Sequence, residues 1–227
     1  TRSWNGGEPL SLEWGNYQAM ERLMQATALR QNTLGEILQG GVYRAAVMVG
    51  DLKGVDVTKY ANYSKAGATH AGSARARPAL GLASAVASSG AHHLKGLGLG
   101  PAAAAMYLGR SDAGEPLSTT LIGSGHAISE NLYAIANSLG LCIRLFGREP
   151  DIVPVELVAR ALNAIAGTEL TADDLFRAGE RVVNIQKAFN SRLGLRREQD
   201  TVCERWLNEP QLEGQSHGMR VGLYLEA

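Results

Sequence analysis

Cysteine is nearly absent from this sequence. Only Cys142 and Cys203 occur, too few for a disulfide framework, so a reducing, cytosolic setting is the default expectation. Neither sign of charge prevails: 22 Lys and Arg face 22 Asp and Glu. That balance leaves no electrostatic footprint for DNA, RNA or an anionic membrane surface, and it excludes nucleic-acid binding as the leading reading. No run of about 18 apolar residues exists, so no membrane span is expected. The opening Thr1-Arg2-Ser3-Trp4-Asn5-Gly6-Gly7 lacks the apolar stretch of a secretory signal, and the missing initiator Met suggests a trimmed or partial chain. Aromatics reach only 6%. Strand signals are scarce and no internal repeat is found. Gly96-Leu97-Gly98-Leu99-Gly100 has neither the G-x-G-x-x-G spacing nor the preceding strand of a dinucleotide site.

What is present is apolar and small. Apolar residues make up 45% of the chain and glycine contributes 27 residues. The 227 residues can bury a sizeable core in one large domain or two small ones. Small residues let helices approach one another, or a cofactor, closely. The expected division is 1–120, a helical region with a loop and a Gly-rich segment, and 121–227, a second helical region with a polar tail wrapping the surface.

Helical periodicity dominates the chain. Asn16 caps a helix over Tyr17 to about Arg30, with Met20, Leu23, Met24 and Thr27 as its inner face. Thr33-Leu34-Gly35-Glu36 has capping-box spacing and opens a helix to about Val49, lined by Ile37, Leu38, Val42, Ala45 and Val49 and stopped by Gly50-Asp51. Tyr63 to Pro78 reads as loop, and Leu80 to Ser88 as a short Ala/Leu-rich helix. Ser129 to Leu139 is helical and ends at Gly140, and Pro154 to Ala166 follows. Thr171-Ala172-Asp173-Asp174 opens the clearest helix. Its stripe of Leu175, Ala178, Val182, Ile185 and Phe189 is expected to be core, and Gly194 ends it. The fold class is mainly α and multi-helical.

Four segments, in order, resemble the aldehyde ferredoxin oxidoreductase family. Leu12-Glu13-Trp14-Gly15-Asn16, its helix and Leu34-Gly35-Glu36-Ile37-Leu38-Gln39-Gly40-Gly41-Val42 are similar to the family's Trp-Gly-Asn segment and its Gly-Asp-x-Leu-x-x-Gly-Val. Gly81-Leu82-Ala83 through Gly90-Ala91-His92-His93-Leu94-Lys95-Gly96 resembles the stretch ending Gly-Ala-x-His-Leu-Arg-Gly. Asn137-Ser138-Leu139-Gly140-Leu141-Cys142 resembles Asp-x-x-Gly-Leu-Cys. Gly179 to Asn184, Phe189 to Gly194 and Arg197 to Thr201 complete the order, with Glu209-Pro210 and Glu213-Gly214 near the end. The match covers the C-terminal half of the family pattern. The N-terminal pterin-binding domain is not in it, nor is the Cys-x-x-Cys-x-x-x-Cys run that would give three more cluster thiolates.

The resemblance implies the fold of the family's C-terminal helical domains. It also implies a tungsten (or molybdenum) bis-pterin oxidoreductase that takes an aldehyde to a carboxylate. Electrons would leave singly through a [4Fe-4S] cluster to ferredoxin or a similar carrier. Such a cluster usually takes four thiolates, so both cofactors would be shared with residues outside this chain: a missing N-terminal half or a partner subunit. Without that half the chain would be inactive, and an oligomer is expected. Two alternatives stand beside this: an aromatic thioester (aryl-CoA) reductase subunit of the same family, and a cofactor-free structural subunit.

Residue roles follow from the matched positions. His93 would serve the substrate, orienting a carbonyl or moving a proton; otherwise it is a structural histidine in a Gly-rich bend, and His92 beside it has no matched role. Asn137, Gly140 and Leu141 would cradle a pterin. Asn137 stands where the family has Asp, and it accepts hydrogen bonds without the charge. The competing readings are a polar residue near a helix end and an ordinary helix cap. Cys142 would be a cluster ligand, against a buried structural thiol; Cys203 has no matched role. Arg75 aligns with the Arg of the family's Tyr-Asp-Pro-Arg, where Gly72-Ser73-Ala74 replace the first three residues. Arg75, Lys65 and Lys95 are otherwise expected as surface charges.

Overall fold

In a computed structural model, the described residues are 10–70, 73–97, 105, 107–109, 121–143 and 153–222. Gly72 of the rebuilt loop, Gly98 to Pro101 of the Gly-rich segment and the opening Thr1–Gly7 lie outside them. Among the described residues the architecture is mainly α. Its helices are α1 (Tyr17–Leu29), α2 (Thr33–Leu38), α3 (Gly41–Lys53), α4 (Pro78–Val86), α5 (Ile122–Leu139), α6 (Val155–Ala166), α7 (Ala172–Arg192) and α8 (Glu204–Asn208). The strands found are β1 (Tyr63–Ser64) and β2 (Gly67–Ala68), an antiparallel pair with Tyr63 opposite Ala68 and Ser64 opposite Gly67. None of the described helices is long and apolar enough to cross a membrane.

The α1 cap falls where expected, with Asn16 Oδ1 accepting from the Ala19 N–H at 3.1 Å. Its inner face does so only in part, with Leu23 and Thr27 half-buried. Ala19 and Ala26 are buried, while Met20 and Met24 are 48% and 66% exposed. Gly35 of α2 explains this: a Cβ there would lie 2.0 Å from the Ala26 carbonyl oxygen. The two helices meet backbone to backbone, and only an alanine face permits that approach. The single helix expected from Thr33 to Val49 is two helices. Asn32, one residue earlier than Thr33, caps α2 by accepting from the Gly35 N–H at 2.9 Å. Gly41, at φ +81°, divides the run, and α3 continues past Gly50 to Lys53.

The hairpin sits within the segment expected as loop. Its turn, Lys65-Ala66, has positive φ at both residues (47° and 64°), the geometry that normally selects Asn-Gly. Tertiary bonds hold it in place. The Lys65 ammonium lies 2.8 Å from Asp200, with only 7% of its side chain exposed, and it donates to the Ala85 carbonyl. Lys65 is therefore a buried anchor and not a surface charge. Burial pushes its ammonium below the ordinary lysine value, opposed by the bond and charge of Asp200. Arg75 is likewise engaged: Nη1 donates to the carbonyls of Glu209 and Pro210 at 3.1 and 3.4 Å, tying the rebuilt loop to the tail.

Helix α5 begins at Ile122 rather than Ser129 and ends as expected before Gly140. Helix α7 opens where expected, on a capping box closed by Asp174: Thr171 N–H donates to Asp174 Oδ2 at 2.9 Å and Asp174 N–H to Thr171 Oγ1 at 3.2 Å. The Thr171 bonds first, then Arg177, hold the Asp174 carboxyl below its usual range. The buried stripe of α7 is shifted from the expected one. Leu175 is buried, but Ile185 and Phe189 are 67% and 62% exposed. Gly179 sets the face, since a Cβ on it would lie 2.5 Å from the Asn131 carbonyl of α5. The helix then uses polar side chains as ties: Lys187 donates to the Val86 carbonyl and Asn190 to that of Ser88.

Two apolar clusters result. One joins α5, α6 and α7 through Leu132, Ile135, Val155, Val158 and Leu175. The other joins Ala74, Ala85 and Ile122 to Val202, Cys203, Trp206 and Val221 of the tail. The tail thus supplies core as well as surface, and Cys203 is fully buried in it.

Candidate functional site

The bend before His93 is shaped by glycine. Gly90 has φ +80°, and a Cβ on it would meet the Ser64 carbonyl at 3.1 Å, so the bend rests on the hairpin. His93 opens the single 3-10 turn His93–Lys95. The His70 ring stands 5.4 Å from it, tilted 58°, and the His92 ring 6.3 Å away. On its other side His70 meets Trp206 at 6.1 Å. Both ring nitrogens of His70 are buried without a hydrogen-bond partner. An imidazole left so costs roughly 1–3 kcal/mol per unsatisfied group.

Gly96 brings this turn onto α5. A Cβ there would come 2.8 Å from Glu130 Cγ and 3.1 Å from His126 Cε1. Lys95 then borders a recess of about 190 Å³ with Glu130, Asn137, Ser138 and Gln186 as its other polar lining, and Ala134, Val182 and Val183 as its apolar wall. The recess connects the His93 segment, through Lys95, to the Asn137 segment. Behind it, His126 is 4% exposed and makes no hydrogen bond at either ring nitrogen. Its Nε2 is 3.7 Å from Glu130 Oε1.

Asn137, Gly140, Leu141 and Cys142 share one end of α5, and all four are exposed. The end is a Schellman turn: Leu141 N–H donates to the Ala136 carbonyl at 2.8 Å, Gly140 N–H lies 3.5 Å from that of Asn137, and Gly140 has φ +68°. So Gly140 acts as a helix cap, and that cap turns Leu141 and Cys142 outward. The thiol is open to ligands from another body. Among the described residues no group of three or more His, Cys, Asp or Glu could hold a metal ion.

His70, His126, Glu130 and Gln186 were not singled out by sequence reasoning. A signal existed for two of them, because His126, Glu130, Ala134 and Asn137 recur at helical steps along α5. Starting that helix at Ser129 cut His126 off the stripe and left Glu130 in the first turn.

Fold and surface together define a mainly helical chain with one exposed thiol, Cys142, and one buried, Cys203. Comparison with known proteins gives the lineage. The chain belongs to the aldehyde ferredoxin oxidoreductase family: the family model described as aldehyde ferredoxin oxidoreductase, domains 2 & 3, matches residues 5–227. Tungsten-containing aldehyde ferredoxin oxidoreductases of Pyrococcus furiosus and Thermococcus kodakarensis are each 27% identical over 96% of this chain and 34% of their own length. A shorter stretch, 24% of this chain and 8% of the relative, is 41% identical to the WOR-like subunit of an aliphatic sulfonate oxidoreductase from Pyrococcus furiosus. The chain thus spans about a third of the length of the first two relatives.

Proposed function

We propose that this chain is part of a tungsten (or molybdenum) pterin oxidoreductase that oxidises an aldehyde to a carboxylate and passes electrons through a [4Fe-4S] cluster to a ferredoxin-like carrier. The observation that carries the reading is the end of α5. Asn137 opens on a recess of mixed polar and apolar lining and, past the Gly140 turn, Cys142 presents an exposed thiol. The residues present fit a pterin. Its aminopyrimidinone edge carries N–H donors beside a carbonyl acceptor, and the recess offers acceptors in Glu130, Asn137 and Gln186 and a cationic donor in Lys95. They fit a cluster only in part, with one thiolate of the four usually needed. Domains 1–120 and 121–227 would contribute the His93 segment and the Asn137–Cys142 segment, and the remaining ligands would come from the rest of the complete protein or from a partner subunit.

When bound, the metal–pterin group supplies two-electron redox chemistry at the aldehyde carbon. This chain's residues do the rest. The His93 imidazole orients the carbonyl by N–H donation, or takes up a proton on a ring nitrogen. His70 packs against its ring. Asn137 with Leu141 holds the pterin edge, and Cys142 anchors the cluster.

Metal analysis of the complete protein, purified without air, tests the reading. Tungsten or molybdenum with about four irons is expected. A complete assembly free of both metals and iron would leave the structural-subunit alternative, which the Asn137 substitution favours. In the loaded enzyme, His93→Asn is expected to lower turnover roughly 100-fold with metal content unchanged. Unaltered turnover would remove His93 from the reaction.

A further inference from the structure

The family motif has a carboxylate where this chain has Asn137, so the recess should lack the charge that pairs with the pterin's amino edge. The structure offers a second carboxylate on the same wall. Glu130 stands two helical turns before Asn137 on α5, and both line the recess together with Lys95, the last residue of the His93 turn. Only 13% of the Glu130 side chain is exposed, and His126 Nε2 sits 3.7 Å behind it. Gly96 leaves space for the Glu130 stem that no other residue would leave, since a Cβ there would lie 2.8 Å from Glu130 Cγ. Among the described residues the one basic side chain paired with this shielded carboxylate is His126, whose ring nitrogens make no hydrogen bond, so the carboxylate keeps acceptor capacity toward the recess.

We propose that Glu130 replaces the missing Asp charge and is the anionic acceptor for the pterin's adjacent amino and ring N–H groups, with Lys95 donating to the neighbouring carbonyl and His126 as a positioning residue behind the carboxylate. The inference rests on the pterin reading above. Two parallel N–H donors meeting one carboxylate form the charge-assisted, bidentate pair that a single Asn amide cannot supply. Asn137 then keeps a neutral contact at the rim.

The test uses the complete protein, purified without air and dialysed. Released pterin is counted by its fluorescence after oxidation, tungsten and molybdenum by mass spectrometry, and folding by circular dichroism. Glu130→Gln is expected to lower retained pterin and metal together, roughly tenfold, the effect of losing one charged hydrogen-bonding partner, with the helical spectrum unchanged. Adding Asn137→Asp to Glu130→Gln returns the charge to the same wall and is expected to restore most of the pterin. Full retention in Glu130→Gln overturns the proposal while leaving the pterin reading intact. A loss that Asn137→Asp does not reverse assigns Glu130 a structural role and also overturns it. A wild-type complete protein without pterin sinks the reading and the inference together.

Discussion

Cys142→Ser in the complete protein is expected to remove the broad visible absorption of the cluster and to stop electron delivery to an external acceptor. The effect is all-or-none because serine offers a hard oxygen in place of a soft thiolate, and an iron–sulfur cluster depends on the latter. The position suits a clean test. The thiol is exposed and belongs to neither apolar cluster, so the substitution should change folding stability by no more than about 0.5 kcal/mol. An unchanged spectrum in an otherwise loaded protein would take Cys142 out of the proposed site. Cys203→Ser is no substitute control, because that sulfur is fully buried beside Trp206 and Val221.

The largest effect on stability is expected at Trp206. It is 2% exposed and joins α8 to Ala74, Ala85 and Ile122, while its carbonyl accepts the Val221 N–H at 2.8 Å. Trp206→Ala leaves a cavity at a junction of four segments and should cost about 4 kcal/mol, a large part of the stability of an ordinary domain. Urea denaturation followed by circular dichroism measures it. A loss under about 1 kcal/mol would mean that the tail lies on the body without being part of its core. The same substitution removes the ring that flanks His70, so a looser His70–His93 pair is expected even where the fold survives.

Local signals were the legible part of this sequence. Asn16, the Thr171–Asp174 box and Gly140 mark real helix ends because each satisfies backbone groups within a few residues of itself. The family segments were legible for a different reason: they are strings of identities, which no packing argument produces. What was not legible depended on partners distant in the chain. The inner faces of α1 and α7 are chosen by Gly35 and Gly179 approaching another backbone, and apolar periodicity has no term for that. The hairpin was hidden because Lys65-Ala66 is held by Asp200 and Ala85 in place of the usual turn residues. The tail's core was hidden because Val202, Cys203, Trp206 and Val221 are scattered among polar residues. His126, beside Glu130, was missed for a simpler reason, a helix begun too late at Ser129.

The backbone contacts at Gly35 and Gly179 carry a consequence for how such a protein can diverge. Where two main chains touch without side chains between them, no cushion exists to absorb a larger residue. The rim of the recess can be redecorated, as an amide in place of a carboxylate at Asn137 illustrates, whereas these two joints tolerate almost nothing. Drift should therefore accumulate in the lining and spare the joints of the frame, so that what the recess can hold changes over a scaffold whose spacing is held to within a methyl group.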